Sequence, residues 1–199
     1  MEKQLIISVG REFGSGGHAI AERLSKIFKI PLYDYNLLHE IAEDKEIDPA
    51  ELEKYDEIPR NRLFSRTVKE HNNSPQHNIA NLQFDLLKRK AANGESFVIV
   101  GRCSESVLKG VPGLVSIFVL GDIEAKTERI SQIYKLSRDD AEEMIRRRDK
   151  KRKTYHNYYC EGKWGDSRNY DLSINSSHLG IDETAEVVAD YIKHRTEKM

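Results

Sequence analysis

The sequence predicts an α/β fold in which helices cover both faces of a parallel β-sheet. Short apolar runs typical of buried strands alternate along the chain with longer segments in which apolar residues recur at helical spacing. Parallel strands need such crossover helices, and ligands of these doubly wound sheets bind at the carboxyl ends of the strands. One apolar run also leads directly into a glycine-rich turn at residues 10–17.

The first predicted unit is a strand at residues 5–9, the glycine-rich turn and a helix. The helix carries its apolar residues at i, i+4, i+7 and i+8, namely Ile20, Leu24, Ile27 and Phe28. The later strands are predicted at 30–34, 97–101, 114–120 and 170–174, and the later helices at 35–47, 78–92, 122–134, 137–159 and 181–195. Residues 48–76 contain three prolines and are the least regular stretch.

Length and composition predict one domain over residues 1–199. The 32 Lys and Arg residues nearly balance the 33 Asp and Glu residues, so no global field favours DNA or a membrane surface. The apolar runs are too short to span a bilayer, and the N-terminus enters a strand at once. Cys103 and Cys160 have neither metal-ligand nor disulfide-framework spacing, so we expect a reducing cytoplasm.

The glycine-rich turn has the physical properties of a phosphate site. Glycines allow successive N–H groups to point at one anion, and the dipole of the following helix adds positive potential. The turn nevertheless lacks the lysine of the G-x-x-x-x-G-K-[ST] phosphate loop. With Gly16 as the second glycine, Gly17 occupies the lysine position and Arg11 the first glycine position. The alternative is a glycine turn that binds no ligand.

Charged residues directly follow several predicted strands. They occur at Gly10-Arg11, Asp34, Gly101-Arg102 and Gly121-Asp122, and a parallel sheet would bring them to one crevice. The planar guanidinium of an arginine such as Arg102 binds phosphate or carboxylate bidentately. A structural ion pair is the alternative for Arg102, and an N-cap of the next helix is the alternative for Asp34.

A basic run occupies residues 146–153, where seven cations flank Asp149. Arg148 and Arg152 are i, i+4 neighbours on the predicted helix, Tyr155 extends their stripe, and Asp149 could orient Arg152. One interpretation is an arginine-bearing lid that closes over polyphosphate. The alternatives are a solvated basic face and an RNA-binding patch.

Together these segments resemble the cytidylate kinase-like family, which is related to the P-loop nucleoside monophosphate kinases. The resemblance rests on the degenerate Walker A loop Gly10-Arg11-Glu12-Phe13-Gly14-Ser15-Gly16-Gly17 and on further blocks at 31–34, 98–103, 149–159, 164–166 and 169–175. It implies a three-layer P-loop kinase fold with a five-stranded parallel sheet and a helical lid. The implied core is 1–47 and 77–199, the acceptor-binding insertion is 48–76, and the lid is about 137–168.

The resemblance also implies an activity, transfer of the γ-phosphoryl group of ATP to CMP, dCMP or another small acceptor, with Mg2+. The residues implied for the donor phosphates are Gly14, Ser15, Gly16, Gly17 and His18. Those implied on the substrate side are Asp34, Arg102, Asp149 and Arg129. Those implied for catalysis are Arg148 and Arg152 from the lid. Arg11, which lies beside the loop, is our own candidate to replace the missing lysine in catalysis. No residue is assigned to a metal.

Two departures from the family pattern keep other functions open. Gly17 and Ala19 stand where cytidylate kinases carry lysine and threonine, and Cys103 stands where they carry an acid. A phosphotransferase is therefore ranked first, a nucleotide-binding pseudokinase or sensor second, and an RNA-associated protein last. The aromatic residues at 155–164 are interpreted as packing in preference to base stacking, and Cys103 as a spectator thiol near a helix N-terminus. The sequence contains no signal for oligomeric state.

Overall fold

The computed structural model describes residues 3–34, 37, 40–42 and 75–198. Within them, the strands are β1 (Ile6–Arg11), β2 (Leu32–Tyr33), β3 (Phe97–Val100), β4 (Leu114–Leu120) and β5 (Leu172–Asn175). They form one sheet in the order β2-β3-β1-β4-β5, and all four strand pairs are parallel. The predicted five-stranded parallel sheet is therefore confirmed.

The helices in the described ranges are α1 (Gly17–Phe28), α2 (Pro75–Ala92), α3 (Ser104–Val107), α4 (Ile123–Tyr134), α5 (Arg138–Tyr159) and α6 (Gly180–Glu197). Leu37 and residues 40–42 are also helical, and the rest of the helix predicted at 35–47 lies outside the described residues. Helix α2 begins three residues before its predicted start, because proline is tolerated in a first helical turn. Residues 75 and 76 therefore belong to α2, and the rest of the predicted 48–76 insertion lies outside the described residues.

Both faces of the sheet are buried, as the near-continuous apolar strands predict. Helices α1 and α6 cover one face, where Ile7 and Val9 of β1 pack in a cluster with Leu24 and Val188. On the other face Ile6 and Phe97 pack in a cluster with Leu87 and other buried residues. No helix in the described part of the chain is long and apolar enough to cross a lipid bilayer.

The topology places the glycine-rich turn at the centre of one sheet edge. Strand β1 lies between β3 and β4, with Val9 opposite Val100 and Arg11 opposite Val119. The segments after these three strands therefore emerge side by side, as the prediction of a shared crevice requires. Helix α5 reaches the same edge and packs on α4 through a cluster that contains Ala141, Ile145 and Ile130.

Candidate functional site

The loop between β1 and α1 depends on its glycines. Gly14 and Gly16 have φ values of 83° and 78°, which side-chain-bearing residues rarely adopt. A Cβ on Gly16 would also lie 2.9 Å from Cγ1 of Ile181, and one on Gly17 would lie 2.5 Å from Cβ of Arg11. The loop can therefore bring its backbone close to a ligand at the N-terminus of α1, where first-turn amides have no partner within the helix.

The hydroxyl of Ser15 is turned into the loop. Ser15 is fully buried, and its Oγ donates to the carbonyl of Glu12 at 2.9 Å and accepts from the amide of Gly17 at 3.4 Å. The carbonyl of Ser15 accepts from Oγ of Ser176 at 2.5 Å. Ser15 therefore shapes the loop, and the groups that the loop can offer to an anion are backbone amides.

Helix α4 contacts the loop through two cations. Nη1 of Arg129 donates to the carbonyl of Gly14 at 2.6 Å and lies 3.0 Å from where a Cβ of Gly16 would be. The predicted site residue Arg129 is thus next to the loop. The second cation, Lys126, was not predicted as a site residue.

Lys126 connects the loop to the basic helix α5. Its side chain is 8% exposed, and its Nζ lies 2.8 Å from Oε2 of Glu12 and 3.4 Å from Oδ2 of Asp149. Oδ1 of Asp149 accepts from the amide of Phe13 at 2.6 Å. Burial raises the pKa of Asp149, although the Phe13 amide and Lys126 act in the opposite direction. Asp149 was predicted to orient Arg152, and the charges of these two residues interact. Asp149 also contacts the loop and Lys126, which were not predicted as its partners.

Arg148 and Arg152 of α5 lie over the loop. Their guanidinium carbons are 5.8 Å and 5.5 Å from the centre of the Phe13 ring, which is cation–π distance. Nη1 of Arg152 also donates to the carbonyl of Arg11 at 3.4 Å. The predicted stripe of two arginines therefore faces the glycine-rich loop.

The turn after β3 has an uncommon backbone. Gly101, Arg102 and Cys103 have successive φ values of 74°, 59° and 55°, a conformation that costs about 1–2 kcal/mol for each residue that has a side chain. Such strain often marks functional sites. Only 3% of Arg102 is exposed, and the guanidinium of Arg11 lies over Gly101, where a Cβ would overlap its Nη1.

Three predicted arginines line one small cavity. Arg11, Arg102 and Arg152 share a space of about 20 Å3 with aromatic residues that include Trp164 and Tyr170. Glu105 lines the same cavity, but its carboxylate is engaged by His156, so the three arginines leave a positive charge that can bind an anion. Arg11, the predicted lysine substitute, starts beside Gly17 of the loop and directs its guanidinium toward the β3 turn.

His18 and Asp34, predicted on the donor and substrate sides, form an ion pair with each other. Nε2 of His18 contacts Oδ2 of Asp34, and Nδ1 of His18 lies 3.5 Å from Glu22. The hydrogen bond to Asp34 outweighs partial burial and raises the pKa of His18 above 6.5. The pair joins the first turn of α1 to the end of β2, and the carbonyl of Asp34 accepts from the amide of Leu37.

The interpretation of the aromatic residues as packing is confirmed. Tyr155 packs in a buried cluster with Cys103, its ring lies 4.8 Å from that of Tyr159, and Trp164 packs edge-on against Phe118 at 5.3 Å. Lys126, in contrast, escaped prediction because a lysine on a charged amphipathic helix is ordinarily solvated. Glu12, an acid within the glycine-rich segment, was the sequence feature from which a buried cationic partner could have been inferred.

The parallel sheet and its helices form a P-loop kinase fold, and the glycine-rich loop lacks the lysine of the usual phosphate loop. A gluconokinase from Sinorhizobium meliloti has this fold, at 14% identity and a TM-score of 0.59, with 100% of this chain and 97% of that chain covered. The family model of the cytidylate kinase-like family matches residues 6–178. The chain therefore belongs to the cytidylate kinase-like family.

Two other proteins are similar over nearly the whole chain. A cytidylate kinase of Pyrobaculum islandicum is 24% identical over 190 residues, with 94% of this chain and 92% of that protein covered. The crystal structure of an uncharacterized protein from Eubacterium ventriosum is 38% identical, with a TM-score of 0.77 and 96% and 99% of the two chains covered.

Proposed function

We propose that this protein transfers the γ-phosphoryl group of ATP to a small acceptor, with CMP and dCMP as the first candidates. Family membership and the kinase fold support a phosphotransferase, and the Pyrobaculum relative described as a cytidylate kinase supports these acceptors. The observation that carries the proposal is the convergence of Arg11, Arg102 and Arg152 on one cavity beside the glycine-rich loop.

The donor phosphates would bind at the N-terminus of α1. Amides of the loop and of the first helical turn, from Gly14 to His18, would donate to the phosphates, those of Ser15 and Gly17 by exchanging the partners that they have within the loop. Arg129 lies beside this segment. The buried hydroxyl of Ser15 is engaged within the loop, so Mg2+ would be held mainly by the nucleotide phosphates and water. The ion would neutralise charge on the transferring phosphoryl group.

The arginines would supply the charge stabilisation that the missing lysine provides in other P-loop kinases. Phosphoryl transfer depends mostly on positioning and on neutralising the equatorial oxygens. Arg102 would bind the acceptor phosphate or another anionic group, whereas Arg11, Arg148 and Arg152 would approach the transferring group. A cavity of about 20 Å3 holds roughly one water molecule. Substrate binding therefore requires α5 and its arginines to move away from the loop, as a lid does.

Acceptor recognition would involve Asp34 and its partner His18. Cys103 cannot replace an acid in contacting a cytosine amino group, and the nearby carboxylate of Glu105 is engaged by His156 at 2.6 Å. Other small acceptors are therefore assayed beside CMP.

A second function, nucleotide binding without turnover, is favoured by one observation. Lys126 is a buried lysine close to the loop, but its ammonium group is paired with the carboxylates of Glu12 and Asp149. If no arginine substitutes for the lysine, the loop would bind phosphate without accelerating its transfer.

Transfer of labelled γ-phosphate from Mg-ATP distinguishes the two functions. The acceptors would be CMP, dCMP, UMP, AMP and GMP, followed by shikimate and gluconate, with a control lacking acceptor. Calorimetric titration with ATP would be run on the same protein. Labelling of one acceptor supports the kinase. ATP binding with no labelling of any acceptor supports the sensor, and neither binding nor labelling contradicts both.

A further inference from the structure

A second group of reactive side chains forms part of the wall of the arginine cavity, which Cys103, Glu105 and His156 also line. Glu105 of α3 and His156 of α5 are both buried. One possible metal-ligand atom from each of Glu105, His156 and Cys160 lies within 4.8 Å of the other two. Cys103 belongs to a buried cluster against which Cys160 packs. Thiol, imidazole and carboxylate side chains from two distant parts of the chain therefore meet at one buried position.

The hydrogen bonds of the group resemble those of a metal site with a supporting carboxylate. Nε2 of His156 lies 2.6 Å from Oε1 of Glu105, whereas its buried Nδ1 has no hydrogen-bond partner within the described residues. Only 7% of the His156 side chain is exposed, so this nitrogen is costly to leave unsatisfied. Metal-binding histidines commonly donate one ring N–H to a carboxylate and coordinate through the other nitrogen.

We propose that Cys103, His156 and Cys160 bind one Zn2+, with Glu105 orienting the imidazole. Two thiolates and an imidazole suit zinc, and the fourth position is left to water or to the second oxygen of Glu105.

The site has both an entry path and room to form. Glu105, His156 and Cys160 line an open cavity of about 830 Å3, through which an ion can arrive. Donor atoms around a tetrahedral zinc lie about 3.5 Å apart, as zinc–sulfur and zinc–nitrogen bonds of about 2.0–2.3 Å require. The ligand atoms of His156 and Cys160 lie within 4.8 Å of each other, so a contraction of roughly one ångström by side-chain rotation would bring these two to coordination distance.

The metal would fasten the lid helix to the β3 turn. His156 lies in the last turn of α5, and Cys160 is the first residue after this helix. Cys103 directly follows Arg102 and precedes α3. Zinc would thus hold the C-terminal end of α5 while its arginine-bearing middle moves. It would also fix the strained segment that presents Arg102. The zinc site does not depend on the proposed phosphotransfer.

Metal binding by the whole reduced protein tests this proposal. The protein would be stripped with a chelator, titrated with Zn2+ against a competing dye, and separately loaded with Co2+. We expect one tight equivalent per chain, proton release on binding, and the thiolate-to-cobalt charge-transfer absorption of a tetrahedral site. Cys160→Ser should weaken zinc binding by more than about a hundredfold, and Glu105→Gln by about 10–100-fold.

The matched control is His194→Gln, which alters an exposed histidine that lies 3.6 Å from Glu197. It should leave zinc affinity unchanged. Because Cys160→Ser could fail to fold, the cobalt spectrum of the unaltered protein stands as an independent readout. Absence of a tight equivalent overturns the proposal, as does a cobalt spectrum without thiolate absorption. Formation of a Cys103–Cys160 disulfide with no retained metal overturns it too.

Discussion

Removing Lys126 tests the connection between the glycine-rich loop and the lid helix. Lys126→Met keeps the length of the aliphatic chain but leaves Glu12 and Asp149 without the ammonium group between them. Breaking a buried ion pair by removing one partner costs about 3–5 kcal/mol. The two carboxylate side chains are 26% and 17% exposed, so solvent screening should reduce the loss in unfolding free energy to about 2–3 kcal/mol.

The defect of this variant should depend on pH. Burial raises the pKa of Asp149, and loss of Lys126 removes a charge that opposes this rise. A carboxyl group whose pKa is higher in the folded than in the unfolded protein does not destabilise the fold below the unfolded pKa, where it is protonated in both states. Its cost in unfolding free energy grows as the pH rises through the folded pKa. The deficit of Lys126→Met should therefore shrink as the pH is lowered from neutral into the acidic range.

Urea and thermal unfolding measure this deficit. For a chain of 199 residues, a loss of about 2–3 kcal/mol corresponds to a fall in Tm of roughly 5–10 °C. Lys193→Met is the control, since Lys193 is 55% exposed and forms only an i, i+3 pair with Asp190. A deficit no larger than that of the control, or one independent of pH, would refute the proposed bridging role.

Three further predictions concern the loop and its neighbours. Gly17→Ala would place a Cβ 2.5 Å from Cβ of Arg11, so the variant should lose about 1–3 kcal/mol in unfolding free energy and show weaker ATP binding by calorimetry. The raised pKa of His18 means that its pairing with Asp34 stabilises the fold below about pH 6.5 and that this contribution is lost as pH rises through the folded pKa. His18→Gln should therefore be less stable than the native protein under acidic conditions and equal to it under alkaline ones in urea unfolding. Phe13→Leu removes the ring that two arginines of α5 cover and should cost about 1–2 kcal/mol, with faster hydrogen exchange in α5 as the readout.

The sheet and most helices could be predicted because their signals are local. Buried parallel strands such as 97–100 and 114–120 are continuous apolar runs, and the segments between them repeat at helical spacing. Helix α3, with only four residues, is too short to produce such periodicity. Its position depends on the left-handed turn at Gly101, Arg102 and Cys103, in which only the first residue is a glycine that could signal such a turn.

The candidate site could be predicted in part. The rule that strand ends converge brought Arg11 and Arg102 together, and i, i+4 spacing placed Arg148 and Arg152 on one stripe. The partners of Asp149 could not be predicted, because burial of Lys126 depends on how α4 packs against the loop. The Cys103 and Cys160 thiols are separated by dozens of positions, so only the fold joins them. The i, i+4 spacing of His156 and Cys160 was the one available sequence signal.

The rate of γ-phosphoryl transfer in Arg152→Ala shows whether arginines replace the missing lysine. Arg146→Ala is the matched control, because Arg146 lies on the same helix, is 72% exposed and pairs with Glu142. With the acceptor that the native protein labels, Arg152→Ala should lower kcat by about a thousandfold, the contribution of one transition-state arginine, while Arg146→Ala keeps the native rate. Equal rates in the two folded variants would contradict the claim that arginines replace the missing lysine.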